Sequence, residues 1–247
     1  MGNQWIDFTR STGYSATLFC FPYSGGSAQV FLNLPRYFSP AVRIMAFEPP
    51  GRGRRFVDTL AGSLEDLVND AFRDFDDLSG GKPFYFFGHS LGGLTAFVMA
   101  ERLKSTNLPM PGHLFVSGVR APNVPRREGN THDLPFDDFV EKLKEMGGTP
   151  QEIMDNREML EIMVPILKSD FRCYETYRPG EPEPLPCPIS ALGGSADQFV
   201  LPADIEQWSL YTGSRFSSRI FSGGHFFLHT DMKNVCRYIQ ERTGLKA

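Results

Sequence analysis

Short apolar runs alternate along this chain with longer stretches whose apolar positions recur at helical spacing. Parallel strands connected by covering helices produce that alternation. The runs predict strands at Ala16–Phe21, Val42–Phe47, Phe84–Phe87, His113–Ser117, Ile189–Leu192 and Arg219–Phe221. Between the second and third, Ser63 reads as an N-cap, and Leu64, Leu67, Val68, Ala71, Phe72, Phe75 and Leu78 share one helical stripe. A second helix is expected from Leu91 to about Leu103. A last one runs from about Asp231 to Arg242, with Met232, Val235, Cys236 and Ile239 on its buried stripe. The fold class is α/β, a mostly parallel sheet flanked by helices.

One stretch departs from the alternation. From Pro125 to Pro186 the periodicity predicts helices at Phe136–Met146, Pro150–Asp155 and Arg157–Tyr174, and no strand. Polar, proline-rich connections bound the stretch, so it reads as a helical insertion of about 125–186 that covers a site on the sheet.

The length of 247 residues favours one domain, 1–247, over a tandem. With 41% hydrophobic and 22% charged residues, the chain has a globular composition, which excludes disordered and disulfide-scaffold classes. A formal net charge of −4 leaves no global positive field for nucleic acid or anionic lipid. No apolar run approaches the roughly 20 residues that span a membrane. Met1-Gly2-Asn3-Gln4-Trp5-Ile6 lacks the basic and apolar parts of a secretory signal, and Ile6 stands where a myristoylation motif has Ser or Thr. The expectation is a cytoplasmic protein. Cys20, Cys173, Cys187 and Cys236 form no C-x-x-C pair, so they read as reduced thiols packed as small hydrophobes.

The chemistry begins at Gly88-His89-Ser90-Leu91-Gly92, a G-x-S-x-G that follows a predicted strand and opens a predicted helix. In that setting the serine occupies a tight turn with strained backbone angles, and the glycines avoid collision with neighbouring backbone. Ser90 is therefore the candidate nucleophile. A serine hydroxyl needs a base to take its proton and a carboxylate to hold that base in the right tautomer. In strand-turn-helix sites of this type the order is Ser, then Asp or Glu, then His.

That order removes His89, His113 and His132. Of the two histidines left, His225 lies in the glycine-rich Ser222-Gly223-Gly224-His225-Phe226 after the last predicted strand, where a loop can carry it back over Ser90. His229, at the entrance of the final helix, reads as a capping or surface residue. Asp197, on the loop after Ile189–Leu192, is the sole carboxylate between Glu183 and Asp204 and is the candidate acid. Asp170 falls inside a predicted helix and reads as structural. For the oxyanion, one donor is the Leu91 amide. The other comes from Phe21-Pro22-Tyr23-Ser24-Gly25-Gly26-Ser27, assigned to the Ser24 amide with Tyr23 as the alternative.

With these residues placed, the chain resembles the type II thioesterases of polyketide and nonribosomal peptide synthetases and the medium-chain thioesterase of animal fatty acid synthesis. The marks are Leu18-Phe19-Cys20-Phe21-Pro22-Tyr23-Ser24-Gly25-Gly26, Pro50-Gly51-Arg52-Gly53-Arg54, Phe86 to Gly93, Gly147-Gly148-Thr149-Pro150, Asp170-Phe171 before Glu175-Thr176-Tyr177, and Gly224-His225-Phe226-Phe227. Two departures stand out: Tyr23-Ser24 where the family usually has His-Ala, and Lys168-Ser169 where it usually has Arg-Ala. The resemblance implies an α/β-hydrolase fold with a helical lid. It implies hydrolysis of acyl thioesters held on the phosphopantetheine arm of an acyl or peptidyl carrier protein, by a monomer needing no metal or organic cofactor. Arg52, Arg54 and Arg55 would then either meet the acidic carrier or the pantetheine phosphate, or form structural salt bridges. Three rivals share the residues: an esterase or lipase acting on oxygen esters, an acyltransferase, and a noncatalytic binding protein on a hydrolase fold.

Overall fold

A computed structural model describes residues 4–9 and 12–245. Met1–Asn3, part of the segment on which the leader reading rests, lie outside the described residues. Seven strands form one sheet: β1 (Trp5–Asp7), β2 (Ala16–Phe21), β3 (Val42–Phe47), β4 (Phe84–His89), β5 (Leu114–Ser117), β6 (Ile189–Gly194) and β7 (Phe216–Phe221). Their order is β1-β3-β2-β4-β5-β6-β7, with β1 antiparallel to β3 and every other pairing parallel. The helices are α1 (Leu64–Phe72), α2 (Phe75–Ser79), α3 (Leu91–Ser105), α4 (Phe136–Met146), α5 (Gln151–Met154), α6 (Arg157–Thr176), α7 (Pro202–Glu206), α8 (Phe227–Thr230) and α9 (Met232–Thr243).

Both faces of the sheet are covered, so its inner strands read as continuous apolar runs rather than alternating ones. The alternation is still present as a choice of face. Phe19, Phe21, Phe84, Phe86, Leu114 and Val116 pack with α1, α2 and α3, whereas Leu18, Cys20, Phe87 and Phe115 pack with α9 and the turn around Phe31. A third cluster, built on Phe139, Leu143, Leu160 and Val164, belongs to α4–α6 alone. These helices lie between β5 and β6, where the periodicity placed them, and no helix among the described residues is long and apolar enough to cross a membrane.

Two differences from the sequence reading have local causes. The single helix expected from Leu64 to Leu78 is two, because Arg73 leaves the helix and Asp74 takes left-handed torsions (φ 47°). Both halves bury the same stripe, so the periodicity runs through the break. The edge strand β1 is three residues long, too short to show a period. Trp5 fixes it by packing edge-on against Phe19 and Phe21 and donating its indole N–H to Ala71 O.

Because β2 and β4–β7 are parallel, the segments that follow them all emerge on one rim. The chain direction across the sheet reverses between β2 and β4, where open α/β sheets form their ligand crevice. Phe21, the last residue of β2, pairs with Gly88, two residues before Ser90.

His113, just before β5, is buried, stacks on Phe115, and lies 2.8 Å from Ser190 Oγ. Burial pushes its pKa down to about 4. In the unfolded chain it protonates near pH ~6.5. Between those values the unfolded state holds more protons, so stability contributed by neutral His113 falls as pH drops from 7 toward 4. Urea unfolding at stepped pH should therefore show wild type losing stability more steeply than His113→Asn across this window, by on the order of 3 kcal/mol. Parallel curves would contradict it.

Candidate active site

Ser90 is the single residue between β4 and α3, and its torsions (φ 53°, ψ −121°) are those of a sharp, strained turn. Its N–H donates to Ser117 O at 2.7 Å, tying the turn to the end of β5. A Cβ at Gly88 would lie inside the carbonyl of Gly92, and one at Gly92 inside the carbonyl of Phe21. Glycine at both positions is a steric requirement of bringing strand, turn and helix this close. His89 beneath them is fully buried, and Nδ1 lies 2.9 Å from Ser117 Oγ. Burial, reinforced by His225, holds its pKa well below the usual value, so His89 is a neutral part of the scaffold.

Asp197 and His225 come from the segments after β6 and β7. These segments touch backbone to backbone: Ser195 N–H donates to Phe221 O, and Ala196 N–H to Gly223 O. A Cβ on Gly194 would overlap the carbonyls of Gly223 and Gly224. The packing sets Asp197 Oδ2 2.8 Å from His225 Nδ1, while Oδ1 accepts the amides of Phe199 (2.9 Å) and Val200 (3.1 Å). The carboxylate is sealed from solvent and has no bulk water to reorient it. Since Nδ1–H faces a carboxylate, Nε2 is left as the proton acceptor of the neutral ring. Ser90 and His225 wall the same cavity. Ser90 Oγ makes no hydrogen bond among the described residues, as is common for nucleophile and base before substrate binds.

The segment after β2 forms the opposite lip. Neither the Ser24 nor the Leu91 amide has an acceptor among the described residues, and Ser24 lines the cavity. Tyr23 turns its ring edge-on to His89 and Phe226, and its hydroxyl lies 2.8 Å from His229 Nε2. His229, expected as a capping or surface residue, is exposed on α8, and its ring also pairs with the Tyr23 hydroxyl. No sequence signal pairs residues 206 positions apart. Asp170 is buried, and accepts from Gly25 N–H at 2.7 Å and from Arg52 Nη2 at 2.9 Å.

That pairing corrects the reading of the arginine cluster as a whole. Arg52 is buried against Asp170, and Arg55 is buried against Asp70 and Asp58, so neither guanidinium is presented to a partner. Carboxylates supplied by α6 and α1 hold both guanidiniums inward, with Arg52 bonded through Nη2 while its Nε and Nη1 have no partner among the described residues. Arg54 alone of the three is exposed.

The insertion supplies the rest of the wall. Leu143, Met146, Leu167 and Phe171 give an apolar surface, and Gly148 (φ 88°) lies so close to the Phe226 ring that a Cβ there would overlap it. Beside it is a charged surface the sequence reading missed. Arg120 holds Glu128 through both carboxylate oxygens, and buried Glu175 accepts the Thr131 and His132 amides and His132 Nδ1. His132, excluded from catalysis by chain order, is thus a partner of Glu175. The four cysteines are buried with free thiols, and no metal-binding cluster occurs among the described residues.

Comparison with known proteins agrees with this architecture. The family model for the thioesterase domain matches residues 16–243. The gramicidin S biosynthesis protein GrsT of Aneurinibacillus migulanus is 33% identical over 238 residues, covering 96% of this chain and 93% of that protein. The crystal structure of ClbQ from the colibactin NRPS/PKS pathway superposes with a TM-score of 0.87 at 33% identity, covering 92% of this chain and 96% of that one. The type II thioesterase BorB of the borrelidin cluster gives the same TM-score at 28% identity over 98% and 97% of the two chains. The parallel sheet, the serine turn and these matches together establish that this chain belongs to the thioesterase family and has its α/β-hydrolase fold.

Proposed function

We propose that this protein is a type II thioesterase that hydrolyses acyl groups from the phosphopantetheine arms of carrier proteins, with Ser90, His225 and Asp197 as its catalytic residues. The observation that carries the reading is the buried Asp197–His225 pair opening onto the cavity that also holds the strained Ser90 turn. Family membership supplies the thioester, and the biosynthetic setting of GrsT, ClbQ and BorB supplies the carrier-bound substrate.

In this mechanism His225 Nε2 takes the proton of Ser90 Oγ as the oxygen attacks the thioester carbonyl. The tetrahedral oxyanion accepts hydrogen bonds from the Leu91 and Ser24 amides, aided by the N-terminal dipole of α3. Collapse of the adduct breaks the C–S bond. The pantetheine thiolate takes the proton from His225 and leaves, and an acyl-Ser90 ester remains. Water then attacks that ester with His225 as base, and the free acid departs as Ser90 recovers its proton. Asp197 holds the imidazole in the Nδ1–H tautomer and offsets its charge when both nitrogens are protonated. Helices α4 and α6 act as a lid over the acyl chamber, moving to admit the arm.

Ser90→Ala should abolish both release of acid from an acylated carrier and labelling by a fluorophosphonate, and Asp197→Asn should lower kcat by about 10⁴. Mass spectrometry of acylated carriers before and after incubation reads the first. Retained turnover in Ser90→Ala would remove the serine mechanism. Faster turnover of the matching p-nitrophenyl ester would assign an oxygen-ester hydrolase, and transfer to a non-water acceptor an acyltransferase.

We infer that Arg54, the exposed member of the arginine cluster, contacts the carrier protein. Arg54→Ala should raise KM for a carrier-bound substrate about two- to fivefold, the scale of one exposed ion pair. KM for the same acyl group on a small thiol should stay unchanged. Equal effects on both substrates would refute the contact.

A further inference from the structure

Asp170 is an acid on a helix outside the sheet, and yet it is one of the best-buried carboxylates in the chain at 2% exposure. Its two oxygens have separate partners. Oδ1 accepts from Arg52, which neutralises it, and Oδ2 accepts the backbone N–H of Gly25. Gly25 follows Ser24, whose amide is an oxyanion donor in the mechanism above.

The geometry of two rigid peptide planes connects these facts. The plane between Tyr23 and Ser24 is held at its carbonyl, because Tyr23 O accepts Gly26 N–H at 2.8 Å. The plane between Ser24 and Gly25 is held at its amide by Asp170 Oδ2 at 2.7 Å. In a trans peptide the C=O and N–H point in opposite directions, so anchoring Tyr23 O directs Ser24 N–H the other way. With both planes pinned, the torsions of Ser24 have little freedom left. Gly25 itself lies at φ 76°, and a Cβ there would come within 2.7 Å of Leu167, so loop and helix are packed as well as bonded. Leu167 and Phe171, neighbours of Asp170 on α6, also line the cavity.

We propose that Asp170 is a positioning residue for the oxyanion donor. Its carboxylate, set by Arg52, aims the Ser24 amide, and it links that amide to the helix whose apolar face receives the acyl chain. This inference rests on the serine-hydrolase reading above. An acyl group that fits α6 poorly displaces Gly25 and disorders the donor, so discrimination between chains is expressed in kcat more than in KM.

Asp170→Asn keeps the shape but turns one acceptor into a donor facing Arg52 or Gly25. Removing one oxyanion donor lowers turnover by roughly 10²–10³, and a misdirected donor should lower kcat by about 10- to 100-fold with KM within about threefold. Affinity for an alkyl boronic acid, whose Ser90 adduct places an oxygen among the donors, should fall by a similar factor. Affinity for the product acid should hold. The double variant Arg52→Gln/Asp170→Asn supplies a neutral chain, with Asn Oδ1 accepting Gly25 N–H and Asn Nδ2 donating to Gln Oε1. It should recover kcat to within about fivefold of wild type, and it carries the test if the single variant does not fold.

Wild-type kcat in Asp170→Asn, equal loss of boronate and product affinity, or a folded double variant with no recovered turnover would each overturn the proposal. Ser90→Ala run in parallel separates the two levels. If it is inactive while Asp170→Asn is fully active, only the positioning role fails. If it is active, the serine reading falls and takes this role with it.

Discussion

A serine at φ 53° and ψ −121° sits where a residue with a side chain goes only at a cost of about 1–3 kcal/mol. The surroundings of Ser90 leave it no way to relax. Its amide is bound to Ser117 at the end of β5, the helix it opens presses Gly92 onto the last carbonyl of β2, and Gly88 has no room for a side chain against Gly92. Three neighbouring strands thus converge on one peptide. The effect is to hold the Ser90 hydroxyl at the sheet edge, near the Ser24 and Leu91 amides, which have no acceptor among the described residues. Other parts of the site are arranged around that fixed point.

The parallel sheet supplies the rest by geometry. Strands that run the same way discharge their connections on the same rim, so Ser24, Ser90 and His225 line one cavity and Asp197 pairs with His225, although the chain between them is long. Within that rim the ties are short and backbone-based. The segments after β6 and β7 are stitched by Ala196 to Gly223 and Ser195 to Phe221, which leaves Asp197 and His225 few ways to separate. Rigid elements hold reacting groups more closely than mobile loops can, and here the loops borrow rigidity from one another.

Buried charge joins the insertion to this scaffold. Asp170 on α6 reaches Arg52 and the segment after β2, and Glu175 near the end of the same helix gathers Thr131, His132 and Arg126. Buried ion pairs add little net stability over apolar packing, but removing one partner strands the other, so they favour one arrangement strongly. For an insertion with its own small apolar cluster, such ties decide where it docks.

Much of this was legible from one dimension. Apolar runs marked six of the seven strands, since a sheet covered on both faces demands them, and chain order with local context named Ser90, Asp197 and His225 as candidates, of which the fold pairs Asp197 with His225. What escaped was short or nonlocal. Strand β1 and helices α7 and α8 span too few residues to display a period, and the break at Asp74 hides inside a stripe that both halves share. The arginines after β3 look alike in sequence, yet Arg52 and Arg55 turn inward and Arg54 outward, because only the folded chain delivers Asp170 and Asp70 to the first two. Likewise His229 finds Tyr23, and Asp170 finds Gly25, across separations of 206 and 145 residues. Local patterning determines which segments are strands and which residue types can do chemistry, since both are properties of neighbours along the chain. Which charge is buried and which histidine meets which partner depend on distances that exist only after the sheet has closed.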